Sequence, residues 1–264
     1  MSLDAFFRNE ALLLAAMALL ALVETLLPFA RSRAGRQRPR LPNLALVTLT
    51  LACNFVLNAG AVLATALLAA RGVGLLAGAS LPPLAASVIG VVALDASTYA
   101  CHRLLHRLPP LWRIHRVHHS DPLVDVTTTL RQHPLEGLLR FGFVMAPAWA
   151  LGVSPEAVAI YRALSVMIGL TEHMNVKLWE PLDRALSLFV CTPNMHKLHH
   201  SRRASETDSN YGNILSLFDR VCGTFTPPGA GFRIDYGLAG CDAPESQRLG
   251  ALLRLPFRRD ERFG

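Results

Sequence analysis

From Leu44 to Ala70 the chain carries no charged side chain. About 20 apolar residues suffice to cross the hydrocarbon core of a bilayer, so this run constrains the fold more than any other feature. Backbone N–H and C=O groups held in lipid must be satisfied inside the segment, which makes such a run a helix. Other blocks repeat the pattern: residues 11–30 (ALLLAAMALLALVETLLPFA), residues 84–101, and residues 138–171, the last broken at GVSP (152–155) into two halves, each short for a span. Hydrophobic residues make up 52% of the chain and charged residues only 17%, whereas about a quarter of a soluble domain is charged. The expected fold is therefore all-α, a multi-span membrane helical bundle with about 3 spans plus a short transmembrane or re-entrant helical hairpin.

Net charge is +7, nearly all from arginine. These arginines flank apolar segments and aromatic residues for base stacking are few, so no nucleic-acid partner is expected and the bilayer itself is the expected neighbour. Residues 31–40, RSRAGRQRPR, hold five arginines, and positive loops stay in the cytoplasm. With that loop inside, the 84–101 block returns to the cytoplasmic face and delivers His102 there. The 138–171 hairpin goes out and back and delivers His173 to the same face. A cytoplasmic histidine-rich helical cap on a multi-pass protein follows. The chain reads as one domain, 1–264, comprising N-terminal spans (1–90), a histidine-rich region (91–226) and a C-terminal cytoplasmic tail (227–264). Five cysteines, without a CxxC pair, read as small buried hydrophobes.

None of the ten histidines precedes residue 102. His102 and His106 in HRLLH stand one helical turn apart. His115, His118 and His119 in HRVHH, and His196, His199 and His200 in HKLHH, follow i, i+3, i+4 spacing, which gathers side chains on one helix face. Cationic imidazoles packed together repel, so the clusters need a neutralising ligand. Neutral imidazole is the commonest protein metal ligand. Eight or nine rings exceed what one zinc takes and suit two ions. Imidazole donors suit iron, copper, nickel or zinc alike. No HExxH appears for zinc hydrolysis, and haem would leave most rings unused. A membrane metal-binding or transport protein without oxygenase activity is the alternative, although transporters place ligands between spans near the midplane.

HRLLH, HRVHH and HKLHH, in this order, resemble the integral-membrane fatty acid hydroxylase / sterol desaturase superfamily. The flanking segments DASTYACHRLLH, LWRIHRVHHSD, RQHPLEGLLR, TEHMNV, TPNMHKLHHS and TDSNYGNILSLFDRVCGTF are similar too, so the resemblance covers about residues 90–226. It implies a non-haem di-iron oxygenase that hydroxylates, or desaturates, an unactivated C–H of a lipid such as a sterol or fatty acyl chain. By motif position His102, His106, His115, His118, His119, His196, His199 and His200 would ligate two Fe ions, and a purified sample can carry another transition metal such as zinc. His173 would add a further ligand, and His133 either a ligand or a support. Asp95, Tyr99 and Asn194, with Glu136 and Glu172, are candidates to orient ligating rings. Asn210, Tyr211 and Asn213 read as a turn, and Asp219 with Arg220 as an ion pair. The chain has no dinucleotide, haem or iron–sulfur motif, so an external electron donor of ferredoxin or cytochrome type, fed by NAD(P)H, is expected. Arg103, Arg107, Arg113, Arg116, Arg202 and Arg203 would face it.

Overall fold

A computed structural model of the protein describes residues 3–29, 40–76, 78–229 and 233–258. The arginine-rich 31–40 loop, apart from Arg40, and the last residues of the tail lie outside the described residues. Among those described there is no strand, only two isolated bridges, Val190 to Leu215 and Ser201 to Tyr236.

The long helices are α1 (Leu3–Leu26), α2 (Arg40–Ala70), α3 (Pro83–Arg107), α5 (Pro134–Leu151) and α6 (Pro155–His173), with α4 (Pro109–His119) between α3 and α5. Five short helices follow: α7 (Glu180–Leu186), α8 (Pro193–His199), α9 (Ala204–Thr207), α10 (Leu217–Val221) and α11 (Leu249–Arg254). Two helices, over Arg40–Leu68 and Pro83–Arg107, are long and apolar enough to cross a membrane; the apolar part of α1, Ala11–Leu26, is shorter. Only 12% of the most apolar window of α2 is buried, so most of its apolar side chains lie outside the protein core.

Proline and cap chemistry set the boundaries. Pro109 and Pro110 open α4 directly after Leu108 ends α3. Pro at the first helical position gives up an N–H that would be unsatisfied anyway. Thr192 caps α8, its hydroxyl accepting from Met195 N, and Pro193 follows. The GVSP break is a helix stop and restart. Gly152 adopts φ +67° at the end of α5, Ser154 Oγ accepts from Ala157 N, and Pro155 begins α6. A Cβ at Gly152 would stand 2.6 Å from the Val73 carbonyl oxygen.

The expected hairpin takes an unexpected form. α5 and α6 meet near their turn, where Met145, Ala148, Val153, Ala157 and Tyr161 share a core with Leu94 of α3. Beyond the turn both pack mainly on α3 instead of on each other. The wedge left between them leads to the histidines. α1 and α2 close the other side over the 3-10 turn Val126–Leu130, around Met17, Val47 and Leu170. Glu24, the sole charge in the first apolar block, is 1% exposed, and its carboxylate accepts from Val126 N and Asn175 N, both at 3.1 Å.

Candidate metal centre

Helices α3, α4, α6 and α8 direct nine histidine rings into the space enclosed by their ends, and none of the nine is more than 4% exposed. The rings form two nests. His102, His106, His115, His119 and His199 make one; His118, His173, His196 and His200 make the other. Within each nest the candidate ligand nitrogens all lie within 4.8 Å of one another.

Helix geometry explains the partition. Side chains four apart share a face, so His102 with His106, His115 with His119, and His196 with His200 enter the same nest. Consecutive residues point about 100° apart, so each HH doublet divides between the nests: His118 from His119, and His199 from His200. The two nests abut as a result. The rings of His119 and His200 stack at 4.5 Å, and those of His196 and His199 at 5.1 Å.

The outer nitrogens fix the rings. His102 Nδ1 donates to the Tyr211 carbonyl at 2.9 Å, His199 Nδ1 to the Ser209 carbonyl at 2.8 Å, and His173 Nδ1 to the Gly169 carbonyl at 2.7 Å. His115 Nδ1 donates to Glu136 at 2.9 Å, and His106 Nδ1 stands 3.4 Å from Asp208. A carbonyl oxygen only accepts, so in a neutral ring the proton sits on Nδ1 and Nε2 presents a lone pair inward. Burial favours the neutral ring at His118, His119, His196, His199 and His200. It is the foremost cause holding His118, His119, His196 and His200 well below the usual histidine range, with neighbouring rings adding to it. Burial also pulls His199 down to about 3, against the opposing pull of the Ser209 carbonyl.

In the second nest the Gly169 carbonyl makes His173 Nε2 an acceptor, and three other rings crowd it. His196 Nε2 lies 2.9 Å from His173 Nε2, and His173 Nε2 lies 3.2 Å from both His118 Nε2 and His200 Nε2. One lone pair accepts from only one of the three rings at a time, and a cation among the nitrogens would relieve the crowding. His102 Nε2 and His199 Nε2 are buried without a hydrogen-bond partner among the described residues. Nitrogen donors, neutral rings and stranded lone pairs fit a transition-metal cation in each nest.

The remaining candidates take other places. His133 belongs to neither nest: it caps α5, its Nδ1 accepting from Leu135 N, while Nε2 donates to the Leu253 carbonyl at 3.2 Å. Asp95 accepts from Asn213 Nδ2, Ile214 N and Leu215 N, and the Tyr99 hydroxyl pairs with Thr224 Oγ1 at 2.8 Å. Asp95 reaches the nests through residues 213–215, and Tyr99 through the edge of the Tyr211 ring at 6.3 Å. Asn194 binds both backbone groups of Leu178. Glu172 does approach a ring, 3.8 Å from His196 Nδ1. Asp219 does not pair with Arg220. Its carboxylate accepts from Tyr211 N, Gly212 N and Thr224 Oγ1, while Arg220 donates to the Ser187 carbonyl and covers the Phe225 ring at 3.8 Å. A turn rich in N–H donors captures the acid more effectively than the adjacent cation does. Of the arginines expected to face a donor protein, Arg113 and Arg116 donate to the Arg258 carbonyl and Arg202 pairs with Asp242.

Trp112, Arg140 and Lys197 are absent from the sequence reading, and Tyr211 enters it only as part of a turn. Trp112 lies against His106 at 5.1 Å and His119 at 5.4 Å, and Tyr211 against His106 at 5.1 Å. Arg140 Nε donates to Glu136 at 2.8 Å, an i, i+4 pair whose spacing was visible in PLEGLLR. Lys197, fully buried between ligand candidates, donates to the Met174 carbonyl, and burial lowers its ammonium to about 7. A cavity of about 180 Å³ opens beside the nests and is lined by His102, His118, His173 and His196.

Among known proteins, the chain is 34% identical over 176 residues to an ornithine lipid hydroxylase of Rhizobium tropici, covering 66% of this chain and 51% of that protein. It is 31% identical over 151 residues to an alkylglycerol monooxygenase of Danio rerio, covering 57% of this chain and 32% of that protein. A very-long-chain aldehyde decarbonylase of Oryza sativa subsp. indica is 29% identical over 143 residues, covering 53% of this chain and 54% of that protein. The chain thus spans about half or less of the length of these relatives. No solved structure matches it. Residues 87–224, just over half of the chain and including all nine nested rings, match the fatty acid hydroxylase family, and the chain belongs to that family.

Proposed function

We propose that this chain is a membrane-bound non-haem di-iron oxygenase that hydroxylates an unactivated C–H bond of a lipid. The observation that carries the proposal is the pair of abutting, all-imidazole nests opening onto one cavity. Five rings would hold one iron ion and four the other. The chemistry supplied by two bound iron ions is activation of O₂ toward a C–H bond that no acid or base side chain can attack. One O₂, two electrons and two protons convert C–H to C–OH and release one water. The electrons come from an external ferredoxin- or cytochrome-type donor fed by NAD(P)H.

The protein's own part is to hold and exclude. Backbone carbonyls and Glu136 keep the Nδ1 atoms of His102, His115, His173 and His199 protonated, so their Nε2 atoms are available as donor atoms without a conformational search. Trp112 and Tyr211 pack the first nest and keep bulk water from it. Their hydrophobic length and exposed apolar sides support α2 and α3 as spans, with α1 and the α5–α6 wedge completing a multi-pass bundle and the nests at its cytoplasmic end. Membership of the family and the relatives' names, an ornithine lipid hydroxylase and an alkylglycerol monooxygenase, support a lipid substrate and favour hydroxylation over desaturation.

Lipid mass profiling of cells with and without the chain tests the proposal. Hydroxylation adds the mass of one oxygen to a lipid, whereas desaturation removes two hydrogens. Replacing His118 or His199 with alanine should abolish either change while leaving the protein in the membrane fraction. Full activity in either variant would overturn the ligand assignment.

A further inference from the structure

The cavity beside the nests has an unusual wall for a site that receives a lipid. Some of its polar groups are already paired: Thr98 with Tyr161, Ser165 with Asn213 at 3.1 Å, and Thr129 with the Gly169 carbonyl at 3.2 Å. Others are not. Asn54 sits midway along the apolar helix α2, and Gln132 in the loop before α5. Neither side-chain amide has a hydrogen-bond partner among the described residues. Arg140, on α5, commits Nε to Glu136 and leaves Nη1 and Nη2 without a further hydrogen bond among them. A second guanidinium, Arg162, already engaged elsewhere, also lines the cavity from α6.

Polar and cationic side chains within apolar helices are costly and mark places where something polar is bound. An apolar body pushed past this wall would strand two amides and the terminal nitrogens of Arg140, each losing water with nothing in return. A ligand rich in acceptors would satisfy all of them, and guanidinium geometry matches phosphate or carboxylate oxygens.

We propose that the cavity receives the polar end of its lipid: an anionic headgroup, phosphate or carboxylate, bonded by Arg140, Asn54 and Gln132. The carbon presented to the rings then lies in the headgroup or directly beside it, not far along an acyl chain and not on a sterol body. This rests on the oxygenase reading above. The C–H broken, the C–O formed and the external electrons balance as stated there.

The test locates the added oxygen. Lipids extracted from cells expressing the full chain are compared with those from cells expressing His118→Ala, and each lipid carrying an added oxygen is fragmented. The expected oxygen stays with fragments that retain the anionic headgroup or its attachment carbons. The double variant Asn54→Leu with Gln132→Leu should lose about a hundredfold or more in kcat/KM, the effect of two lost hydrogen bonds to a charged group, while its iron content stays that of the parent. Oxygen on the distal acyl chain, oxygen on lipids lacking an anionic headgroup, or unchanged kcat/KM in the double variant would overturn the proposal and leave the oxygenase reading standing. Iron-loaded protein that adds oxygen to no lipid, given a reduced donor, would overturn both.

Discussion

Replacing Glu136 with alanine probes how the first nest is held, because one buried carboxylate oxygen serves both a candidate ligand ring and a cation. Oε1 accepts from His115 Nδ1 at 2.9 Å and from Arg140 Nε at 2.8 Å, and the side chain is fully buried. A hydrogen bond to a charged group contributes about 1.5–3 kcal/mol net, so losing both costs about 3–6 kcal/mol. Breaking a buried ion pair by removing one partner costs a similar amount, about 3–5 kcal/mol. Arg140 would be left facing an apolar gap, and the His115 ring would lose the acceptor that sets its proton on Nδ1. Loss of such an outer partner weakens metal affinity or activity by about 10- to 100-fold.

Glu136→Gln separates charge from geometry. Its amide oxygen can occupy the Oε1 position and keep both bonds, while its NH₂ replaces Oε2, which has no hydrogen-bond partner among the described residues. The assay is competition for iron against a coloured chelator, with melting in detergent measured alongside. Alanine should weaken iron binding by about 10- to 100-fold and lower the melting temperature, and glutamine should fall between alanine and the parent. An alanine variant with parental iron affinity and parental melting would refute the reasoning, since a carboxylate that orients a ligand cannot be dispensable to both.

Metal-free protein should lose stability as pH falls. An unfolded histidine binds its proton near 6.5, but burial holds His199 down to about 3 and its neighbours well below their usual range. Between about 6.5 and about 3 the unfolded chain binds more protons, so stability drops by up to about 1.4 kcal/mol per pH unit for each such ring; melting of chelator-treated protein across that window checks it, and a flat profile would contradict it. Gly212→Ala should disrupt the loop that holds His102, because the new Cβ would stand 2.5 Å from Cys191 Sγ and 2.9 Å from Asp219 Oδ2; iron content per purified chain should fall. Gly152→Ala forces a left-handed residue against the Val73 carbonyl and should lower the melting temperature without changing the metal affinity of whatever protein remains folded.

Much of this was legible from the sequence because it is local. Apolar run length gave the long helices, and the GVSP stop followed from Gly, Ser and Pro chemistry. What escaped was set by partners distant along the chain. The wedge between α5 and α6 depends on both packing against α3. Glu24 reads as a lone charge in a greasy block until Val126 N and Asn175 N arrive from 102 and 151 residues away. Asp219 prefers the N–H groups of Tyr211 and Gly212 to its neighbour Arg220 for the same reason: a folded loop offers donors that a linear reading cannot see. The nests lie between these extremes. Their partition was written in the spacing, since i, i+4 pairs stay together and doublets divide, but using it requires knowing that α4 and α8 present opposite sides to the same space. α4 gives two rings to one nest and one to the other, and α8 reverses the ratio. A single centre would have no use for a doublet, because one of its two rings always points away. Two HH doublets on facing helices therefore argue for paired centres, held close because neighbouring residues of one helix serve both.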